Sequence, residues 1–121
     1  MSDPKTPWPK ELRLAESKDT LHVGFDDGSS YDFPAEFLRV QSPSAEVQGH
    51  SPDQRVTVPK KKNVKISDLR PVGNYAVKIV FDDGHDTGLF SWTYLHELGS
   101  DQSARWLSYL KDLQDKGLSR E

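Results

Sequence analysis

The sequence predicts an α+β domain: two antiparallel β-hairpin-plus-short-helix repeats form a small sheet domain, and a C-terminal amphipathic helix follows them. The first supporting observation is a Phe-Asp-Asp-Gly motif that occurs twice, at residues 25–28 and 81–84. The second is the alternating apolar stretch before each copy, which is typical of a half-buried strand. The third is the segment after each copy, where a second aromatic-containing stretch leads into a helix-like stretch. Two related units explain all three observations.

The first repeat is predicted from its alternation and its turn residues. Leu12 and Leu14 alternate with polar residues, as one face of a strand does. Asp27 and Gly28 provide the positive φ angles that a tight hairpin turn requires. Pro34 suits the start of a helix because its fixed φ is helical and its missing N–H is not needed there. The predicted elements are strands at 11–15, 21–25 and 30–33 and a helix at 35–40.

The second repeat follows the same order after a long polar connection. Apolar spacing resumes at 64–69, and residues 71–74 are predicted as a turn. A final helix is predicted to begin at a Ser100 or Asp101 cap, to end at Gly117 and to cover one face of the sheet. The other predicted elements are strands at 75–81 and 87–91 and a helix at 92–98. The apolar stripe predicted for the final helix is Trp106, Leu107, Leu110 and Leu113.

Composition excludes several classes of function. The chain has 121 residues, a net charge of −3 and no cysteine. The net negative charge is unfavourable for nucleic acid or an anionic membrane, and no apolar stretch reaches the ~20 residues that span a bilayer. Without cysteine there are no disulfides, thiol nucleophiles or iron–sulfur ligands. We expect one domain and a monomer. The first residues also lack the apolar core of a secretion signal, so we expect a location in the cytoplasm.

Two polar regions are candidate sites. The turn at 82–86 contains three aspartates and His85, which are ordinary ligands for a divalent cation, although Asp-Asp-Gly is also simple turn chemistry. The connection at 41–62 contains Ser42, Ser44, Glu46 and His50. A serine nucleophile with a histidine base is one interpretation of that cluster. A Ser-Pro-Ser turn is the better one, because the chain has no nucleophile-elbow motif.

Two further groups of residues are better explained by structure than by binding. The basic run Lys60, Lys61 and Lys62 would suit phosphate groups, but the net negative charge of the chain favours a solvated loop. The aromatic residues Trp92, Tyr94 and Trp106 fall on apolar helix faces, which predicts core positions rather than a binding platform.

Three stretches of this chain together resemble a known family. Residues 38–47, 72–77 and 83–91 read LRVQSPSAEV, VGNYAV and DGHDTGLFS. This combination resembles the gamma-butyrobetaine hydroxylase-like N-terminal domain, also called domain of unknown function 971. The resemblance implies a domain at 9–98, preceded by a flexible leader at 1–8 and followed by a helix and tail at 99–121. In the carnitine-pathway dioxygenases this domain precedes a separate catalytic barrel, and none of the barrel's iron ligands is in this chain.

The resemblance also implies a position for a structural zinc site. Family members hold zinc with a Cys-x-Cys-x-x-Cys motif and a histidine from the second hairpin. The cysteine positions match Ser42, Ser44 and Val47, and the histidine matches His85. Serine hydroxyls are poor zinc ligands at neutral pH and valine is not a ligand, so the family zinc is predicted to be lost and no cofactor is expected.

These observations predict a non-catalytic accessory or protein-interaction domain with an unknown protein partner. The alternative is a weak divalent metal-binding protein, linked to iron–sulfur or metal handling, that uses His85 with nearby Asp83, Asp86, Glu46 or His50. The connection and the second turn are expected to form the partner surface, because loops on a rigid sheet commonly carry recognition. The predicted surface residues are Ser42, Ser44, Glu46, His50, Asp83 and His85.

Overall fold

A computed structural model describes residues 7–48 and 56–121 of the chain. Its strands and helices confirm the predicted α+β class. The strands are β1 (Pro9–Leu14), β2 (Thr20–Phe25), β3 (Ser30–Pro34), β4 (Ile66–Val72), β5 (Ala76–Phe81) and β6 (Leu89–Ser91). The helices are α1 (Ala35–Val40), α2 (Ala45–Gln48), α3 (Trp92–Ser100) and α4 (Gln102–Asp115).

The six strands form two antiparallel sheets with the orders β1-β2-β3 and β4-β5-β6. Each sheet leads directly into a helix, α1 after the first and α3 after the second. The hairpin turns place Gly28 and Gly84 at φ angles of 89° and 91°, which a residue with a Cβ rarely adopts. The predicted pair of hairpin-plus-helix repeats is therefore present, with a third strand completing each sheet.

The two repeats make the same hydrogen bonds at corresponding residues of their turns. The N–H of Asp26 donates to the carbonyl of Trp8 in the first turn, and the N–H of Asp82 donates to the carbonyl of Lys65 in the second. Strands β1 and β4 also have a register shift at corresponding places near their starts. His85 occupies the place in the second turn that Ser29 occupies in the first. In both turns the residue after the glycine donates its N–H to the side chain of the preceding aspartate.

The main core lies between the two repeats. Phe33 and Phe37 stack at 6.2 Å in the first repeat, and Phe90 packs with Tyr94 in the second. Buried aliphatic residues of both sheets and of α1 and α3 fill the space between these rings. They are Leu21, Val23, Leu38, Ile66, Val77, Ile79, Leu95 and Leu98.

The helix of each repeat contacts the hairpin turn of the other repeat, and the contacting residue has the same position in both helices. Arg39 is the fifth residue of α1 and donates to Asp83 in the second turn at 2.8 Å. His96 is the fifth residue of α3, and its Nε2 lies 3.0 Å from Asp27 in the first turn. This exchange of contacts fixes each helix over the opposite hairpin.

Helix α4 departs from the prediction in its contacts. Tyr109 and Leu113 are buried and form a second apolar cluster with Val40 and Val58. This cluster contains no strand residue, so this part of α4 packs on α1 and the connection, while Trp106 also packs against the main core. Leu107, predicted in the apolar stripe, is 66% exposed because Tyr109 takes the inward position on that turn. The end at Gly117 is confirmed by its φ of 65°.

Several element boundaries also differ from the prediction. Pro71 and Val72 continue β4 instead of starting the turn, which is tolerated because β4 is an edge strand with only one neighbour. The connection contains the short helix α2, for which the sequence showed no periodicity. None of the described helices has the length and apolar character needed to cross a membrane.

Candidate functional site

Ser42, Ser44 and His85 meet at the junction between the connection and the second hairpin. Ser42 Oγ lies 2.9 Å from His85 Nε2, and Ser44 Oγ lies 3.3 Å from the same nitrogen. Ser42 Oγ also donates to Ser44 Oγ at 3.3 Å. We call these three side chains the Ser–Ser–His cluster. They are the residues that the family resemblance places together across more than forty positions of sequence.

The backbone fixes both sides of this cluster. The N–H of Phe81 donates to the carbonyl of His85 at 3.0 Å, which closes the second hairpin around the histidine. On the opposite side, Ser42 lies two residues after the end of α1, and Gln48 of α2 donates its side-chain amide to the carbonyl of Ser42 at 2.8 Å. A Cβ at Gly88 would overlap Ser42 Oγ, so glycine at this position leaves room for the serine to reach the histidine.

The Ser–Ser–His cluster is internal. Ser42 is fully buried, Ser44 and His85 are 6% exposed, and Val47 is 1% exposed. The sequence prediction placed the two serines and the histidine on an exposed partner surface, and the structure corrects this. Polar groups buried in this way are stable because they hydrogen-bond to one another. The cluster therefore links the connection to the second hairpin.

The donor set does not fit the zinc ion that the family resemblance implies. A structural zinc site uses four thiolate or imidazole ligands, whereas this site offers two neutral hydroxyls, one imidazole and the apolar side chain of Val47. Two of the three cysteine positions lie beside the histidine, but the chemistry of the site is that of a hydrogen-bonded core.

The alternative metal site is not assembled by the residues that the structure describes. Asp83 faces Arg39 and Lys61, and Asp86 pairs with Lys78 at 3.8 Å. Within 7–48 and 56–121, no three His, Asp or Glu side chains are grouped as metal ligands. The Glu46 side chain and the whole of His50 lie outside the described part of the structure.

We predict that His85→Ala lowers the free energy of unfolding by about 2–3 kcal/mol, because it removes buried hydrogen bonds and leaves a cavity beside the two serines. This exceeds the small loss that an exposed turn histidine would give. Ser29→Ala is the matched control at the same place in the first hairpin, with an expected loss below about 1 kcal/mol. Urea unfolding measures both. Equal losses would show that the cluster adds nothing to an ordinary turn.

The outer side of the junction carries an ion-pair network centred on Asp83. Its Oδ2 accepts from Arg39 Nε at 2.8 Å and lies 2.6 Å from Lys61 Nζ. Burial by itself would raise the pKa of Asp83. The hydrogen bonds from Lys61, from the His85 N–H and from Arg39 outweigh burial and lower that pKa to about 2. The carboxylate thus ties together α1, the connection and the second turn.

This pKa predicts an acid-sensitive contribution to stability. The folded pKa of Asp83 lies below its ordinary value of 3.8, so the contribution is present above about pH 4 and is lost as the pH falls through about 2. In Asp83→Asn that contribution is absent at every pH. The difference in unfolding free energy between wild type and Asp83→Asn should therefore shrink between pH 4 and pH 2, measured by urea unfolding. A difference that stays constant across this range would contradict the prediction.

A cavity of 310 Å³ opens beside this network. We call it the junction cavity. It brings the basic run of the connection together with the acidic turn, as the sequence prediction expected of these two regions. Its charged lining residues are Lys60, Lys61, Lys62, Arg120, Asp82, Asp83 and Glu121. Sequence reasoning missed Arg39 and Arg120, and the only signal for Arg39 was its match to His96 at the same helix position in the other repeat.

The fold and the site together define a class: small α+β domains built by duplication of a sheet and a helix, with a buried polar cluster between the connection and the second hairpin. The chain belongs to the gamma-butyrobetaine hydroxylase-like N-terminal domain family, whose model matches residues 12–96. No curated protein matches the chain.

Solved structures support this membership. Two protein structures determined by NMR in solution are 46% and 48% identical to this chain, with TM-scores of 0.82 and 0.83. The first comparison covers 96% of this chain and 91% of the other, and the second covers 100% and 90%. A crystal structure of a protein with unknown function from Acidithiobacillus ferrooxidans ATCC 23270, in the domain of unknown function 971 family, is 37% identical. It covers 81% of this chain and 98% of the other, with a TM-score of 0.64.

Proposed function

We propose that this chain is a non-catalytic accessory domain that binds a partner protein through the junction cavity and its rim. The observation that carries the proposal is the cavity itself, an open 310 Å³ concavity with charged walls on the outer side of a rigid junction. Recognition sites commonly combine a fixed scaffold with loops of this kind. In this proposal the protein acts as a monomer in the cytoplasm.

The residues with reactive chemistry support a binding role rather than catalysis. Ser42 Oγ is within hydrogen-bonding distance of His85 Nε2, which is the arrangement of a nucleophile and its base. Ser42 is fully buried, however, and its hydroxyl is engaged with both His85 and Ser44. A substrate atom has no route to that hydroxyl in this conformation, so the cluster acts as a structural link.

The rim of the junction cavity is held in place for recognition. Lys61 is fixed by Asp83, and Lys62 lies 2.7 Å from Glu121. Lys60 has a left-handed backbone with a φ of 63°, which costs a non-glycine residue about 1 kcal/mol. Such strain persists only where the surrounding structure enforces it. Because the cavity wall carries both acidic and basic groups, it suits a polypeptide with both charges better than a nucleic acid.

Site-specific photo-crosslinking in cells tests the proposal. A benzophenone amino acid at Lys60 is expected to capture a defined protein. Excess unlabelled wild-type domain should compete for this protein, and Asp82→Lys in the labelled chain should abolish its capture. The matched control carries the same group at Leu107, which is exposed on α4 and does not line the cavity. Capture of the same proteins from both positions, or capture that wild type does not compete, would contradict the proposal.

Elemental analysis separates the proposal from the metal-binding alternative. The protein purified without a histidine tag or chelator is expected to contain far less than one divalent metal ion per chain. A near-stoichiometric metal content that disappears in His85→Ala would overturn the accessory-domain proposal in favour of the alternative.

A further inference from the structure

Residues 118–121 return from the end of α4 and lie along the connection. The N–H of Lys60 donates to the carbonyl of Ser119 at 2.8 Å, and the N–H of Lys62 donates to the carbonyl of Arg120 at 3.1 Å. Main-chain bonds of this kind also hold bound peptides on their receptors. The groove between the connection and α1 thus already holds a short segment of the chain through its main chain.

Arg120 is the anchor of this segment. Its Nε and its second terminal nitrogen donate to the two oxygens of Glu36 at 2.8 and 2.7 Å, a bidentate pair. The side chain of Glu36 is 7% exposed, and removing the guanidinium would leave a buried carboxylate without its ion-pair partner. The guanidinium also lies over the Trp106 ring at 5.2 Å. A buried carboxylate beside an aromatic face is a specific receptor for arginine, because arginine is planar, forked and always charged.

The next residue, Glu121, forms an ion pair. Glu121 Oε1 lies 2.7 Å from Lys62 Nζ, at the edge of the junction cavity. Arg120 and Glu121 both line this cavity, together with Asp82 and Asp83 of the second turn.

The segment makes the contacts of a ligand rather than those of a core element. None of its residues belongs to either buried apolar cluster, and Leu118 is 39% exposed. It joins α4 through the left-handed turn at Gly117, and the N–H of Leu118 caps the helix by donating to the carbonyl of Leu113. Two main-chain bonds, a bidentate arginine and one lysine pair account for its position.

We propose that this groove is a docking site for an extended peptide of a partner protein in which arginine is followed by an acidic residue, and that residues 118–121 occupy it in cis. The proposal rests on the proposed function and names the chemistry of the partner. Partner binding then requires displacement of residues 118–121, so the segment acts as an internal competitor. The charges favour this occupant: Glu36 selects the arginine, and Lys62 selects the acidic residue that follows it.

A peptide titration of the full chain tests the proposal. Arg120→Ala empties the arginine position, and the capped peptide Leu-Ser-Arg-Glu is then added while the backbone amides are followed by NMR. Saturable binding is expected, with the Lys60 and Lys62 amide signals moving towards their wild-type positions. Leu-Ser-Ala-Glu is expected to bind at least about tenfold more weakly, because it lacks the charge-assisted bidentate bond. Adding Glu36→Gln should remove the preference for the arginine peptide.

Absence of saturable binding, or equal binding of the two peptides, would overturn the proposal. If Arg120→Ala does not fold, Arg120→Lys is used in the same titration. It keeps a cation beside Glu36 but loses the bidentate fork, so the arginine peptide should still bind more tightly than Leu-Ser-Ala-Glu. A wild-type dimer in light scattering that is lost in Arg120→Lys would assign the groove to a second copy instead. Peptide failure together with competed crosslinks at Lys60 would leave the proposed function standing and reject only this ligand class.

Discussion

The triple variant Ser42→Cys, Ser44→Cys and Val47→Cys is expected to bind one zinc ion per chain, whereas the wild type is expected to bind none. These three positions and His85 match the zinc ligands that the family resemblance implies, and the structure brings the two serines within 2.9 and 3.3 Å of the histidine nitrogen. Zinc bonds of about 2.3 Å to sulfur and 2.0 Å to nitrogen place tetrahedral ligand atoms roughly 3.5–3.8 Å apart. The serine cluster is slightly tighter than that, so the cysteine side chains must move slightly away from the histidine to admit the ion.

The expected gain in stability is large. Zinc bound by the folded chain alone, at a free concentration a thousand times the dissociation constant, stabilises by about 4 kcal/mol. For a domain of this size that corresponds to a rise in Tm on the order of 15 °C. Metal content by elemental analysis and Tm with and without a chelator measure both effects.

A fourth substitution provides the control for the zinc variant. His85→Ala in the triple-cysteine background should weaken zinc binding strongly. It should also abolish most of the decrease in Tm that a chelator causes. A triple variant that folds but takes up no zinc would show that Val47 or the short α2 helix has moved away from the cage position. Unchanged zinc affinity after His85→Ala would show that the histidine is not a ligand.

Gly99→Ala is expected to destabilise the domain by about 2 kcal/mol, although alanine normally favours a helix. A Cβ at Gly99 would overlap the ring of Tyr31. That ring cannot move aside freely, because Phe25, Phe33 and His96 pack around it with ring centroids about 6 Å away. Overpacking of this kind costs about 1–3 kcal/mol, which exceeds the gain of up to about 1 kcal/mol from helix propensity at a position near the end of α3.

A double-mutant cycle isolates this overlap. Tyr31→Leu removes the ring, so Gly99→Ala should cost much less in that background, and urea unfolding of the four proteins gives the coupling. If Gly99→Ala destabilised both backgrounds equally, the ring would not be the cause. Ser103→Ala on α4 is a helix control expected to change stability by less than about 0.5 kcal/mol.

The local elements of the fold could be predicted because each leaves a local signal. The alternation around Val23 and around Ile79 indicates strands, and the two Asp-Asp-Gly turns fix where the chain reverses in each repeat. Pro34 and Gly117 mark helix boundaries that the structure confirms. The α2 helix could not be predicted, because its four residues are too few to show periodicity.

The candidate site could be predicted only in part. The resemblance placed His85 with Ser42 and Ser44, and the structure brings these side chains together. Their burial was not visible in the sequence, because a Ser-Pro-Ser segment next to a polar loop is more often exposed. The partners of Asp83 were equally invisible, since Arg39 and Lys61 reach it only through tertiary contacts.

The sequence by itself determined the duplication, because the repeated Phe-Asp-Asp-Gly turns and their flanking apolar patterns are local properties of the chain. It also determined that three thiolates of the family cage are missing here. Only the tertiary structure decided what replaces them: a closed hydrogen-bonded cluster inside, and an ion-pair network with an open cavity outside. The physical reason is that burial and charge pairing depend on which distant segments meet. Residues 36, 60 and 120 acquire their roles only when α1, the connection and residues 118–121 pack together.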